Sequence, residues 1–481
     1  MEPVIQSPDF QPVSAEEMPI PMGVWERSGQ LLPDLDKRAL ENIDVPEQEV
    51  MLRGAEADSR FLAIADVDPN NLAEAGWGII FPSKADPAIR EALQPLIEHR
   101  RQQVREESLF KVFEGPSGFQ TGDTVRSWLS RFNVGFSIVD PALGVPLYLL
   151  IAASPEEIPF DFQYLLDTYW SVGRLHFDTP DDYRAYVQGV ISYETAPTLT
   201  QKKIVGFFNT KNAGDRPTGL LHNLVAQPMV HGSGSTKPLG ERQGFKLVPL
   251  LAQDATRDNL RALFQGNLPG GLPPLLFTGS HGLAVEAVES QRDRQGAIVC
   301  QNWEGGPVSP EMTFAASDLP DNSLQGLIHF FFACYGGGCP KLDNYRMGTD
   351  GKPVKIADES FVARLPQAML RSGALAVLAH IDRAWSYSFM AGRSAPQVQE
   401  FRDVMVRILK GERIGQASDQ FNLRWAVLSA ELSDSMLEKT MFPEQVSDLI
   451  LANRWVARND ARNYIILGDP AVKLRVDAMN D

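Results

Sequence analysis

An α/β fold built on a largely parallel sheet is predicted by two features of the sequence. Helix-like and strand-like segments alternate along most of its 481 residues. Several of the strand-like segments, Val145–Ala153 (VPLYLLIAA) above all, are apolar throughout, without the alternation of a half-exposed strand. Such runs mark strands covered by helices on both faces.

Residues 1–57 are rich in Pro, Glu and Asp and show little periodicity, so they read as an extended, solvated arm. Its best helical piece is QLLPDLDKRALENI. An N-terminal α/β unit is expected over 58–197. It opens with a strand at Phe61–Val67, followed by a second in WGIIFP. Behind Asp86-Pro87, the residues Ile89, Leu93, Leu96 and Ile97 give helical spacing. TGDTVRSWLSRF predicts a capped helix with Thr121 or Asp123 near its start, and Asp181–Tyr193 another. A second unit is expected over 198–481. There KKIVGFFNTKN reads as a strand, HGSGSTKPLGERQG as a mobile loop and TRDNLRALFQG as a helix. Strands follow in PPLLFTGSHG, GAIVCQNW and LQGLIHFFFACYGGG. SFVARLPQAMLRSG (helix), ALAVLAHID (strand), a helix over 396–409 and the strand NYIILGDPAVKLRV complete the alternation.

Lys and Arg number 45 against 61 Asp and Glu, a formal charge of −16. This surface disfavours nucleic acid or an anionic membrane as the main partner. No apolar run approaches the ~20 residues of a membrane span, and MEPVIQSPDFQPVSAEEMPIPMG has no export-signal pattern. With only three cysteines, a disulfide framework is not expected. A cytoplasmic protein is the expectation.

Two segments carry reactive groups. LLFTGSHG is an apolar strand that runs into a small-residue loop ending at His281-Gly282. GLIHFFFACYGGG is another that runs into Cys334 and three glycines. In open parallel sheets, active sites form where loops leave the carboxyl ends of strands. A thiol there needs a base to become a nucleophile, and glycines leave N–H groups free for an oxyanion. Other candidates are weaker. Cys339 sits in the Gly-rich loop, Cys300 and His329 lie within strands, and the loop behind His231 is unanchored. There is no zinc-type Cys/His spacing and no GxSxG elbow.

FTGSHG together with FFACYGGG resembles the His-Gly and Ala-Cys blocks of caspase-like cysteine peptidases, and of the gingipain family in particular. Cys334 follows His281 by 53 positions, near the ~50 typical of caspases. YLLIAASPEEIPF, DTYWSVGRLHFDTPDDYRAYVQGVISYE, GALAVLAHIDRAWSYSF and YIILGDPAVKLRV resemble further gingipain segments in the same order, so the likeness covers roughly residues 60 to 475. It implies a caspase-like α/β/α sandwich with a mostly parallel sheet, preceded by a smaller α/β subdomain. It also implies an endopeptidase with Cys334 as nucleophile, His281 as base, and Gly282 with the Cys334 N–H as oxyanion hole. Asp161 is a candidate to orient His281.

Trp385 matches a tryptophan of the pocket for the residue before the scissile bond (P1). Asp167 lies within two positions of a carboxylate that grips a basic P1 side chain. Asp382 and Arg383 stand where smaller polar residues are usual: Asp382 could serve a basic P1, and Arg383 an acidic one. A basic P1 is the preferred expectation; a binding scaffold that kept the fold but lost the chemistry is the alternative. Protein or peptide substrates are implied. No cofactor is required, and a structural calcium ion is compatible with the likeness. The long stretch from Gly336 to Ile356 resembles sites of processing, which points to regulation by a partner, a ligand or self-cleavage.

Overall fold

Ten strands form one sheet in the computed structural model, which describes residues 18–43, 63–321, 323–390 and 396–480. In chain order they are β1 (Trp77–Ile80), β2 (Phe110–Phe113), β3 (Tyr148–Ala152), β4 (Ser171–Leu175), β5 (Ile204–Asn209), β6 (Lys246–Leu251), β7 (Leu275–Gly279), β8 (Ile328–Phe332), β9 (Ala376–His380) and β10 (Tyr464–Gly468). The spatial order is β2-β1-β3-β4-β10-β9-β8-β7-β5-β6. All pairings are parallel except β9 with β10, where two parallel halves meet back to back. The apolar runs that predict central strands become β3, β5, β7, β8, β9 and β10, each buried along its whole length, as is β4 with its Arg174. The mixed α/β architecture with a mostly parallel sheet is the one expected.

Strands from both expected units, 58–197 and 198–481, share this sheet, because β10 from the end of the chain inserts beside β4. Helices Gln94–Val104 and Arg364–Arg371, one from each unit, both pack on Pro180–Thr195.

Several local expectations shift. Phe61 and Leu62, the start of the first expected strand, lie outside the described residues; Ala63 makes a single bridge to Val139. The helix in TGDTVRSWLSRF is capped by Thr124, whose hydroxyl accepts from the Ser127 N–H while the Ser127 hydroxyl accepts from Thr124. HGSGSTKPLGERQG is anchored: Ser233 and Thr236 bridge each other, and the Leu239 N–H donates to the Met229 carbonyl at 2.7 Å. The stretch from Gly336 to Ile356 is largely a hairpin, Leu342–Met347 against Pro353–Lys355. Helices Asp419–Met441 and Asp448–Arg462 are an antiparallel pair that sequence periodicity did not mark. The buried face of the first includes Asn422, Ser429, Ser433 and Ser435, which blurs its apolar stripe.

The largest departure is the arm. Residues 18–43 are packed against the body: Met22 and Val24 are fully buried, and Leu35 joins a cluster with Tyr345, Trp385 and Trp455. Most of its apolar residues face the protein, Met18, Leu32 and Ala39 among them, while Leu31 stays exposed. Its one helical piece is a short 3-10 turn, Lys37–Asn42, capped by Asp36. Among the described residues no helix is long and apolar enough to cross a membrane.

Candidate active site

β7 and β8 are parallel neighbours, in register from Leu275 opposite Ile328 to Gly279 opposite Phe332. Two residues beyond these paired ends stand His281 and Cys334, so the topology delivers both to one edge of the sheet. Both are fully buried. His281 opens a short strand, His281–Ala284, which joins Gly23–Trp25, Ile298–Val299 and Thr313–Phe314 in a second, four-stranded sheet. Gly282 must be glycine: a Cβ there would lie 1.9 Å from the Cys334 carbonyl oxygen. The chain turns sharply after the thiol. Tyr335 has φ +59°, a left-handed conformation uncommon for a bulky residue. It is held by its N–H, which donates to the Asp382 carbonyl at 2.9 Å, and by the Gly337 N–H on the His380 carbonyl at 2.7 Å.

His281 Nε2 lies 2.9 Å from the Asp215 carboxylate, while Nδ1 is buried without a hydrogen-bond partner. The same Asp215 oxygen accepts from the N–H and hydroxyl of Thr218. Burial opposes the charge on Asp215, but its bonds with His281 and Thr218 and the attraction of His281 outweigh it and hold the carboxyl below its usual value. Burial pushes the Cys334 thiol up; the Ala384 N–H, 3.3 Å from Sγ, and the charge of Arg383 work in the other direction. The ring of Trp303 stands edge-on to His281, centroids 5.8 Å apart.

Two backbone N–H groups converge beside the thiol. Those of Gly282 and Cys334 both donate to one oxygen, the carbonyl of Met22, at 2.9 and 3.1 Å.

The expected pocket residues have other partners. Asp167 is buried, with one oxygen accepting from the Val172 N–H at 2.7 Å and the other from Asn422 at 3.1 Å. Burial pushes its carboxyl up to about 7. Asp382 is also pushed up to about 7, chiefly by burial, and accepts from the Arg383 N–H. Arg383 is fully buried, ion-paired to Asp343 and donating to the Pro33 carbonyl at 2.7 Å. Its guanidinium is thus engaged by Asp343 and the arm rather than held for an acidic P1 side chain. Trp385 is buried against Tyr345, ring centroids 5.2 Å apart, and forms an antiparallel bridge with Pro21. Asp161 does not reach His281: its side chain is 85% exposed, with Arg462 at 3.9 Å. The carboxylate on His281 is that of Asp215, six positions beyond the end of β5, itself the parallel neighbour of β7. Its sequence mark is an Asp capping the helix Arg216–Leu221.

The remaining candidates are tied up structurally. Cys300 and Cys339 are buried free thiols, and His329, pushed down to about 3 by burial, bonds the Thr278 hydroxyl at 2.8 Å. His231 ends a short surface helix. Among the described residues no group of three or more His, Cys, Asp or Glu could hold a metal ion.

No protein-family model and no curated protein sequence matches the chain. Solved structures similar to it include the Arg-specific cysteine proteinase gingipain R, at 13% identity over 85% of this chain and 79% of that one, with a TM-score of 0.42. The complex of the RgpB pro- and mature domains of Porphyromonas gingivalis matches at 13% identity over 83% and 80%, with a TM-score of 0.41. The Saccharomyces cerevisiae separase–securin complex matches at 10% identity over 71% of this chain and 16% of that one, with a TM-score of 0.30. These are likenesses of fold.

Proposed function

We propose that the chain is a cysteine endopeptidase in which Cys334 is the nucleophile and His281 its acid–base partner. The observation that carries this reading is the convergence of the Gly282 and Cys334 N–H groups on one carbonyl oxygen beside the thiol, with His281 held by Asp215. Two preorganised donors at one oxygen are what a tetrahedral oxyanion needs. Asp215 fixes Nε2 of the imidazole and leaves Nδ1 to the reacting groups.

In the reaction Cys334 loses its proton to His281, and Sγ attacks the substrate carbonyl carbon. The oxygen becomes negative between the two N–H groups. The C–N bond then breaks as His281 returns the proton to the leaving amine. Water, deprotonated by His281, attacks the thioester and releases the acid and the free thiol. This cycle asks for no cofactor.

Both reacting side chains are fully buried here, and burial pushes the thiol up, so the enzyme is closed as it stands. This supports regulation by self-cleavage that opens the cleft, a route that needs neither a partner nor a ligand. The test is digestion of a denatured protein such as casein by the wild type and by Cys334→Ala, with the products sequenced. Fragments from the wild type alone are expected. Equal cutting by both proteins, or none by either, rejects the assignment.

A further inference from the structure

Resting on the peptidase reading, we propose that residues 20–23 are the cleft's own first substrate: Met22 is seated as P1, Gly23 as P1′, and the cleft selects an unbranched apolar P1 rather than a basic or acidic one.

The segment lies across the site as a peptide substrate must. The Met22 carbonyl oxygen is the one between the Gly282 and Cys334 N–H groups. Upstream, the backbone pairs antiparallel with the chain after β9. The Met22 N–H donates to the Ala384 carbonyl at 2.8 Å, the Ser386 N–H donates to the Ile20 carbonyl at 3.1 Å, and the Ile20 N–H donates to the Ser386 hydroxyl at 3.1 Å. Only residues 20 and 22 use their N–H groups in this pairing. The residues between and before them are Pro21 and Pro19, which have no N–H to lose. Downstream, Gly23–Trp25 runs parallel to Gly282–Ala284. Gly23 stands against the thiol: a Cβ there would lie 2.9 Å from both Sγ and Cβ of Cys334. Main-chain pairing along an open edge, with one side chain sunk in a pocket, is the usual mode of extended-peptide recognition.

The sunken side chain is neutral. Met22 is fully buried and belongs to the main apolar core cluster. An arginine in its place would need a carboxylate, and the two candidates, Asp167 and Asp382, are buried and committed to their own hydrogen bonds. A buried cation without a partner is strongly disfavoured.

Cys334 Sγ bonds to the Met22 carbonyl carbon, and the Met22–Gly23 bond breaks. The Gly23 nitrogen leaves as an amine with the proton from His281. Water then splits the thioester, giving a Met22 carboxylate on the released 1–22 piece and a new chain that starts at Gly23. Departure of residues 18–22 opens the cleft to other substrates.

Purified wild type and Cys334→Ala are incubated and followed by intact mass and N-terminal sequencing. The wild type is expected to convert to a chain beginning at Gly23, at a rate independent of protein concentration, while Cys334→Ala stays whole. Met22→Arg is expected to slow the cut at least tenfold, and faster cutting overturns the inference. Because that variant could misfold, reporters are measured alongside it: Pro-Ile-Pro-Met-aminocoumarin and its Arg and Asp counterparts, with the wild type. At least tenfold higher kcat/KM for the Met reporter is expected. Equal or better hydrolysis of the Arg reporter, with Met22–Gly23 intact, overturns this inference and leaves the peptidase reading standing. Failure to cut any reporter or casein overturns both.

Discussion

At the active site, one imidazole must serve two partners through two nitrogens. With Nε2 on Asp215, the Nδ1 of His281 is left to the proton transfer proposed for Sγ. Asp215→Asn keeps the shape but removes the charge and scrambles donor and acceptor at Nε2. The expected result is a fall in kcat on the order of 10²-fold or more, with KM changed much less. The sign of the pH effect follows from the lowered carboxyl of Asp215. Its stabilising charge is present above the unfolded value of about 3.8 and is lost only as pH falls below it. The deficit of the variant is therefore expected to stay constant between roughly pH 5 and 8. Steady-state kinetics with the peptide reporters across that range are the check; a deficit that vanishes at neutral pH would remove Asp215 from the site. The Cys–His pair was legible in the sequence because each residue ends an apolar strand beside glycine. Asp215 was not, because an Asp before a short Pro-containing helix is an ordinary capping pattern, shared here by Asp86. Met22 was hidden for another reason: nothing local marks a residue that is buried only because it fills a cleft built by residues 282–386.

Elements are joined at a few buried polar knots, and Asp469 in the Gly-Asp-Pro segment after β10 is one. Its side chain accepts from Trp77 Nε1 at 3.1 Å, from Arg100 Nε at 2.7 Å and from the Ala471 N–H at 3.0 Å. Arg100, fully buried, also binds Glu194 at the end of helix Pro180–Thr195. Replacing Arg100 by Met strands two carboxylates in the interior and is expected to cost about 3–5 kcal/mol. Burial works against the charge on Glu194, but Arg100, His99 and Gln103 together hold its carboxyl well below the usual value. Its contribution is complete above the unfolded value of about 4.5 and decays as pH falls further, so the gap between Arg100→Met and wild type is expected to narrow below about pH 4.5. Urea unfolding at pH 7 and at pH 3.5 measures both; a gap that widens in acid would refute the account. The Gly-Asp-Pro segment stood out in the sequence, but its partners, 369 and 392 positions away, did not. The same holds for strands. Most strands buried on both faces are apolar runs, whereas β4 carries a buried Arg174 and β6 is mostly half-exposed and interrupted by Pro249, so neither has that signal. Gly23–Trp25 has none either, being three residues long and defined only by its partner strand.

For the molecule as a whole, the decisive fact is where the last strand goes. β10 lies between β4 and β9, so the sheet of residues 77–175 and that of 204–380 are joined through a strand contributed by residues 464–468. Close packing reinforces the seam. A Cβ on Gly173 would lie 2.2 Å from the Gly468 carbonyl oxygen, and the Tyr186 hydroxyl donates to the Leu375 carbonyl while accepting from the Asp469 N–H. Two units divided near residue 197, as composition and periodicity suggest, would unfold independently if each owned its core. A shared central strand instead couples them, because losing it exposes two unpaired edges at once. Thermal or urea unfolding is therefore expected to show one transition, coincident by far-UV circular dichroism and by tryptophan fluorescence. Fluorescence samples both sides, with Trp77, Trp128 and Trp170 before the boundary and Trp303, Trp385, Trp425 and Trp455 after it. Deleting residues 464–480 is expected to abolish the transition for both halves, not only for the later one. Two resolved transitions in the full chain, or a cooperative transition surviving in the deletion, would show that the seam is a contact between self-sufficient domains rather than the middle of one sheet.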